Sequence, residues 1–265
     1  MLGCVSSKIQ QLKILTIMMF VGLIVTVTSF VIHKIPTPTE KIPTGNFVSI
    51  DITKSISPLF CDTGLNCEEE VVIEASQGSG MAFYSSGNST FILTASHLCE
   101  SAIYDTEQVT VLRESMIDVE IEIIVKDFYG NPWEAKIIGH NPDSDLCLIK
   151  SEMPSVKQIK IAKDLPAPGE KVYAISAPLS IRASGAAPHF EGLFSGCDPW
   201  DSCFYTIPAT FGSSGSLILN KDYEIVGMIQ AADPRFPTIS IGVSVISIRE
   251  FLDKLSEEEK IDFSI

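Results

Sequence analysis

The sequence predicts an all-β domain, a barrel or a sandwich, that follows an apolar N-terminal segment. Short runs rich in Val, Ile, Phe and Tyr recur between turn residues, about eight to twelve residues apart, as in barrels and sandwiches. Only residues 248–259 have the apolar spacing of an amphipathic helix. At 265 residues the chain is long enough for one large domain or two small ones.

The first 46 residues are predicted to form a membrane anchor and a tether. Residues 14–32 are uncharged, and a helix of 19 residues can span a bilayer core of about 30 Å. Lys8 and Lys13 precede this run, so we expect residues 1–13 in the cytoplasm and the rest exported. A cleaved signal peptide, which would release a secreted domain, is the alternative. The proline-rich residues 33–46 are expected to form an extended linker.

The predicted folded domain occupies residues 47–265. Its strand-like segments are residues 71–73, 81–84, 91–94, 109–112, 119–123, 133–138, 171–175, 217–219, 225–229 and 239–243. Residues 119–123 alternate between apolar and acidic side chains, as a half-buried strand does. The predicted helix places Ile248, Phe251, Leu252 and Leu255 on one face, which we expect to pack over the last strand.

Charge and cysteine spacing limit the classes of partner. The chain carries 33 acidic and 19 basic residues, a net charge of −14, so its surface repels phosphate backbones and nucleic acid is not an expected partner. The pairs Cys61/Cys67 and Cys197/Cys203 each bracket a short polar loop and are the disulfide candidates. Neither pair has nearby histidines at zinc-site spacing, so we expect no metal and no cofactor.

Two further cysteines lie close to candidate catalytic residues. Cys147 lies within an apolar run and is interpreted as a buried thiol. Cys99 follows a histidine by two positions and is either free or paired.

Three polar motifs beside apolar runs carry the predicted chemistry. Ser214 lies between Gly212 and Gly215, and glycines let the backbone turn sharply and bring its N–H groups close to a substrate carbonyl. His97 follows one apolar run, and Asp145 precedes another. A base, an acid that orients it and a nucleophile therefore occur in the order His, Asp, Ser, which trypsin-like enzymes use.

These motifs resemble those of the trypsin and chymotrypsin clan of serine proteases. Residues 94–97 (Thr-Ala-Ser-His) are similar to the histidine motif of that clan. Residues 133–150 resemble the aspartate region of the HtrA-type (DegP-like) proteases, where a strand ending in glycine leads through a polar turn into Asp-Leu-Ala. Three further stretches are similar to motifs of that family: residues 168–175, 212–216 and 241–245. The resemblance covers about residues 75–255.

The resemblance implies two six-stranded β-barrels with a catalytic triad in the crevice between them. Barrel one, about residues 47–155, would hold His97 and Asp145, and barrel two, about residues 156–247, would supply Ser214. The implied enzyme is a serine endopeptidase that cleaves protein or peptide substrates through an acyl-enzyme.

The resemblance also implies the groups that bind the substrate. The backbone N–H groups of Gly212 and Ser214 would form the oxyanion hole. The primary specificity pocket would be formed by Pro208, Gln230, Ala231, Ala232 and Gly242. None of these is acidic, so we do not expect cleavage after Lys or Arg. Pro208 at the base of the implied pocket indicates a small or medium apolar residue before the cut. Because no residue follows Ile265, we do not expect the family's usual C-terminal peptide-binding (PDZ) domain.

Two other functions are compatible with parts of the sequence. A catalytically impaired protease-fold binding module is the main alternative, because Ser216 and Leu217 stand where the family has Gly-Pro. An α/β-hydrolase esterase would need the order Ser, Asp, His and alternating helices, and the sequence has neither. Nothing in the sequence indicates whether the protein is a monomer or an oligomer.

Overall fold

The computed structural model describes residues 42–58, 71–100, 102 and 117–263, in which two sheets close into six-stranded antiparallel barrels. The predicted all-β double barrel with a C-terminal helix is therefore confirmed. The predicted anchor, residues 14–32, lies outside the described residues, as do residues 1–13 and most of the linker. In the part of the chain that the structure describes, no helix is both long enough and apolar enough to cross a membrane.

Barrel one is formed by the first six strands. They are β1 (Phe47–Pro58), β2 (Val71–Ser86), β3 (Ser89–Ala95), β4 (Ile117–Lys126), β5 (Pro132–Asn141) and β6 (Leu146–Ser151), hydrogen-bonded in the order β1-β2-β3-β6-β5-β4. Closure leaves no unpaired sheet edge. Large apolar side chains such as Ile50, Ile92 and Leu148 fill the interior and are fully buried.

Barrel two repeats this architecture with shorter strands. They are β7 (Lys171–Ile175), β8 (His189–Cys197), β9 (Ser202–Tyr205), β10 (Leu217–Leu219), β11 (Ile225–Ala232) and β12 (Ser240–Ser244), in the order β10-β11-β12-β9-β8-β7. Its core contains Val172, Tyr205 and Ile229. Strands β1, β8 and β9 match none of the predicted segments, and β6 was marked only as the apolar run after Asp145. Along β8 burial does alternate, with exposed residues at every second position from His189 to Ser195. The predicted segment 109–112 lies outside the described residues.

Two helices complete the described fold. Helix α1 (Ser96–Glu100) follows β3 directly, and helix α2 (Val245–Glu259) follows β12. The side chain of Ser244 caps α2 by accepting hydrogen bonds from the N–H groups of Ile246 (3.1 Å) and Ser247 (3.3 Å). Helix α2 therefore begins three residues before the predicted start, and all four predicted apolar residues of its inner face are buried.

Two disulfides lie within the described residues. Cys197 and Cys203 are bonded across the β8–β9 hairpin, so this predicted pair is confirmed; we call it the hairpin disulfide. The prediction of a buried thiol at Cys147 is wrong, because Cys147 is bonded to Cys99. Cys99 lies on α1 and Cys147 on β6, and both are fully buried, so this bond ties the helix to the barrel wall. Cys61 and Cys67 lie outside the described residues.

Candidate active site

The pairing of β3 with β6 brings His97 and Asp145 together. Ala95, the last residue of β3, pairs with Leu146, the first residue of β6. His97 lies two residues beyond Ala95, on α1, and Asp145 lies one residue before Leu146, so both are at the same end of the barrel. The backbone N–H of Ser96 donates to the carbonyl oxygen of Asp145 (3.0 Å) and fixes the two chain segments against each other.

The carboxylate of Asp145 holds the imidazole of His97 from behind. Nδ1 of His97 lies 3.0 Å from Oδ1 and 2.9 Å from Oδ2, and the backbone N–H of His97 also donates to Oδ1 (2.8 Å). The side chain of Asp145 is 8% exposed and that of His97 is 43% exposed. An acid that is buried behind an accessible imidazole is the arrangement of an orienting residue and a base.

This contact determines the protonation state of the ring. A carboxylate accepts hydrogen bonds only, so Nδ1 carries the proton in neutral His97 and Nε2 keeps its lone pair. The hydrogen bond to Asp145 is the largest cause that raises the pKa of His97 above 6.5, and partial burial opposes it. The raised pKa means that Nε2 binds a proton more readily than in a free histidine, as a general base requires.

The segment with Ser214 connects β9 to β10 in barrel two and packs against barrel one. Gly212 and Gly215 have φ values of +87° and +83°, a backbone region in which a side chain is strained. A Cβ on Gly215 would lie 2.2 Å from the carbonyl oxygen of Ser79. Glycine is therefore required where the serine turn meets barrel one. The hydroxyl of Ser214 donates a long hydrogen bond to the carbonyl oxygen of Gln230 (3.4 Å).

Two backbone N–H groups beside Ser214 are available to a ligand. The carbonyl oxygen of Phe211 accepts from the N–H of Leu179 (2.7 Å), and that of Ser213 accepts from the N–H of Ser216 (3.1 Å). In a trans peptide the C=O and the following N–H point in opposite directions, so the N–H groups of Gly212 and Ser214 point away from these contacts. Neither N–H has an acceptor among the described residues.

A cavity of about 700 Å³ joins the parts of the site. His97 from barrel one and Gly212 and Ser214 from barrel two all line it. The residues that carry a base, a hydroxyl and two unused N–H donors therefore line one cavity. A larger cavity of about 1010 Å³, lined by residues such as Ile161, Tyr173 and Phe263, contains none of these groups.

Comparison with known proteins places the chain in a family. The family model described as trypsin-like peptidase domain matches residues 78–228, more than half of the chain. The chain belongs to this family. The predicted trypsin-like serine protease is thereby confirmed, and the chain is a serine endopeptidase.

The structural comparison agrees in fold. The structure of the serine endoprotease from Yersinia pestis superposes with a TM-score of 0.58 at 19% sequence identity, over 85% of this chain and 69% of that one. At this identity the likeness concerns the fold alone. No curated protein matches this trypsin-like peptidase in sequence.

The structure brings only part of the predicted specificity pocket of this peptidase to the cavity. Gln230, Ala231 and Ala232 line it, but Pro208 and Gly242 do not. Pro208 is exposed, because its neighbours on both sides turn into the core of barrel two. A Cβ on Gly242 would lie 2.2 Å from the carbonyl oxygen of Met228, so this glycine faces packed backbone.

Several features of the site were missed in the sequence. Phe211 and Leu179 line the cavity although they are 80% and 63% exposed, and no periodic pattern marks such residues. The bond between Cys99 and Cys147 had a signal, because each cysteine follows a candidate catalytic residue by two positions. Among the residues described, no group of three or more His, Cys, Asp or Glu side chains could hold a metal.

Proposed function

We propose that this peptidase is anchored in a membrane by residues 14–32 and cleaves proteins or peptides through a triad of His97, Asp145 and Ser214. The observation that carries the triad is the shared cavity, which is lined both by His97, whose imidazole is held by Asp145, and by Ser214.

The proposed reaction uses the tautomer that Asp145 selects. Nε2 of His97 takes the proton of Ser214 as its Oγ attacks the scissile carbonyl carbon, and Asp145 stabilises the imidazolium that forms. The proton then passes to the leaving amine, the C–N bond breaks and an acyl-enzyme remains. Water enters by the same route, with His97 again as base, and releases the acid product and the free serine.

The N–H groups of Gly212 and Ser214 are proposed to bind the oxyanion of each tetrahedral intermediate. Their lack of other acceptors and their position on the cavity support this role. Loss of one such donor raises the barrier by roughly 2.7–4 kcal/mol in enzymes of this kind.

We propose that the residue before the cleaved bond is small or of medium size and apolar. The lining of the cavity supports this preference, because it contains no Asp, Glu, Lys or Arg side chain. Asp233 is adjacent in sequence to Ala232, but its carboxylate is bound to the guanidinium of Arg235 at 2.6 Å and it does not line the cavity. A basic substrate side chain would therefore find no counter-ion in the cavity.

The peptidase domain is proposed to lie on the extracytoplasmic side of the membrane. The uncharged residues 14–32, preceded by Lys8 and Lys13, support this orientation. The two disulfides support it independently, because such bonds persist in oxidising compartments. Secretion after cleavage of the N-terminal segment remains the alternative location.

A fluorophosphonate probe tests the triad directly. Attack of the Ser214 oxygen on phosphorus expels fluoride, and His97 takes the hydroxyl proton. We expect labelling of the wild type and of Ser216→Ala, which removes a neighbouring hydroxyl, and none of Ser214→Ala. Labelling of Ser214→Ala would disprove the triad. A folded wild type that resists the probe would favour the inactive binding module.

Substrate preference and location need separate experiments. Cleavage of a diverse peptide mixture is expected to show Val, Ala or Leu before the cut, and a profile dominated by Lys or Arg would overturn the preference. The full chain is expected to resist alkaline extraction from membranes. Ile24→Lys should weaken that retention, since a lysine at the centre of a span costs about 2.5–3.5 kcal/mol. A mature chain that begins at about residue 30 would show a cleaved signal instead, since Val27 and Ser29 are small enough for a processing site.

A further inference from the structure

A buried serine of barrel one contacts the segment of barrel two that carries the proposed oxyanion hole. Ser79 lies on β2 and is fully buried. Its hydroxyl donates to the carbonyl oxygen of Gly212 (2.7 Å), and its backbone N–H donates to the carbonyl oxygen of Ser214 (2.9 Å). One residue thus binds the peptide units that follow both proposed oxyanion donors.

The same hydroxyl also fixes the turn that packs against Gly212. It accepts a hydrogen bond from the N–H of Ala177 (3.0 Å), at the start of the turn Pro178–Ser180. Within that turn the N–H of Leu179 donates to the carbonyl oxygen of Phe211, whose peptide unit carries the N–H of Gly212. The hydroxyl is therefore connected to both peptide units of Gly212.

Ser79 is itself held rigidly, so it can act as a reference point. Its carbonyl oxygen accepts from the hydroxyl of Thr94 (2.8 Å), which lies on the neighbouring strand β3. Its N–H, its carbonyl oxygen and its hydroxyl are thus all hydrogen-bonded. Removal of the hydroxyl would leave the carbonyl oxygen of Gly212 and the N–H of Ala177 without this partner in a buried region.

We propose that Ser79 is a positioning residue that holds the N–H groups of Gly212 and Ser214 in the orientation that binds the oxyanion. This inference rests on the proposed function. Ser79 does not touch the substrate, and its effect passes through the two peptide units. An oxyanion donor stabilises the transition state only when it is oriented before the reaction. Loss of the hydroxyl should therefore lower kcat more than it changes substrate binding.

The neighbouring strand provides a matched control. Ser49 on β1 pairs directly with Ser79 and is also buried, but its hydroxyl has no hydrogen-bond partner among the described residues. Ser79→Ala and Ser49→Ala thus delete the same atom at paired positions, one hydrogen-bonded and one not. Ser79→Cys is a graded variant, because a thiol is a weaker donor and acceptor than a hydroxyl.

The experiment measures kcat and KM with a peptide p-nitroanilide ending in valine, the inhibition constant of the matching peptide aldehyde, and the fluorophosphonate labelling rate. For Ser79→Ala we expect kcat and the labelling rate to fall about 10- to 100-fold, less than the 10²–10³-fold cost of deleting a donor. The inhibition constant of the aldehyde, which forms an oxyanion adduct with the serine, should rise by a similar factor. KM and the acidic pH limb should stay unchanged, because the contact between His97 and Asp145 is intact.

The outcomes separate this inference from the proposed function. Ser49→Ala should stay within threefold of the wild type, and Ser79→Cys should fall between wild type and Ser79→Ala. Two outcomes would overturn this inference and leave the proposed function intact. One is an equal loss of kcat in Ser49→Ala and Ser79→Ala. The other is a Ser79→Ala enzyme with a kcat within threefold of the wild type, while Ser214→Ala is unreactive. Reactive Ser214→Ala would overturn the proposed function and this inference with it.

Discussion

Replacement of Asp145 by asparagine tests the acid–base pair without changing its size. Asp145 has a φ of +51°, a left-handed conformation that asparagine also adopts readily, so the backbone of the turn should be retained. The change removes the charge and replaces one carboxylate oxygen by an NH₂ group. If that group faces Nδ1 of His97, it fixes the tautomer with the proton on Nε2, and this tautomer cannot accept the proton of Ser214.

The size of the effect follows from the contacts. Two N–H groups of His97 donate to this carboxylate, and a hydrogen bond to a charged group contributes about 1.5–3 kcal/mol. Loss of the charge opposite the imidazolium, together with the wrong tautomer, should raise the barrier by about 4–5 kcal/mol. This corresponds to a fall in kcat of about 10³- to 10⁴-fold, consistent with the same substitution in chymotrypsin-type enzymes.

The pH profile should change in a defined direction. The base must be neutral, so activity of the wild type falls as the pH decreases through the raised pKa of His97. Asparagine removes the main cause of that rise and leaves partial burial, which lowers the pKa. The acidic limb of kcat/KM should therefore move to lower pH in Asp145→Asn.

The assay is kcat/KM for the valine p-nitroanilide between pH 5 and 9. Asp143→Asn is the matched control, because it makes the same chemical change at an exposed position two residues earlier and should leave both rate and profile unchanged. An Asp145→Asn enzyme within tenfold of the wild type, or with an unshifted acidic limb, would refute the assignment of base and orienting acid.

Three further predictions concern stability. Gly215→Ala should lower the free energy of unfolding by more than about 2 kcal/mol, because its Cβ would meet barrel one. Gly87 also has a positive φ but lies in open space, so Gly87→Ala should lower it by only about 1–2 kcal/mol. Equal denaturant midpoints of the two variants would contradict this prediction. Replacing Cys99 and Cys147 by alanine should lower the free energy of unfolding by about 4 kcal/mol, because this disulfide closes a loop of 48 residues. Removing the hairpin disulfide, which closes a loop of six residues, should lower it by about 2 kcal/mol. The reverse order in urea unfolding would refute it. Tyr205→Phe should be neutral or stabilising by calorimetry, since its buried hydroxyl has no partner among the described residues; a loss above about 1 kcal/mol would indicate a hidden hydrogen bond.

The segments with periodic or clustered apolar residues were predicted from the sequence better than the irregular parts of the fold. Where apolar residues cluster or recur at helical spacing, as in β3 and α2, the segments were identified and their apolar residues are buried. Residues 71–73 and 81–84 were treated as separate segments, but they belong to one long strand. Its glycines let other segments approach: a Cβ on Gly78 would lie 2.1 Å from Leu98, and one on Gly80 would lie 2.8 Å from Ile50. Only the packed structure reveals such a requirement.

The site was predictable where chemistry limits the choice of residue type. A base, an acid and a nucleophile leave few candidates, and the structure pairs His97 with Asp145 and places His97 and Ser214 on one cavity. The pocket was less predictable, because many side chains can line an apolar cavity and a shift of one residue turns a side chain to the other face, as at Pro208. Ser79 gave no signal, since a serine beside glycines has many ordinary roles.

The division of the proposed triad between the two barrels has a consequence for how the enzyme would lose activity. The imidazole and its carboxylate belong to one barrel, and the disulfide from α1 to β6 fastens them there, whereas the alcohol comes from the other. A sliding motion of the barrels would misalign the alcohol and leave the ring–acid pair intact. NMR titration of the ring would then look native in a molecule that no longer reacts with an active-site label, and comparing the two signals would distinguish misalignment from unfolding.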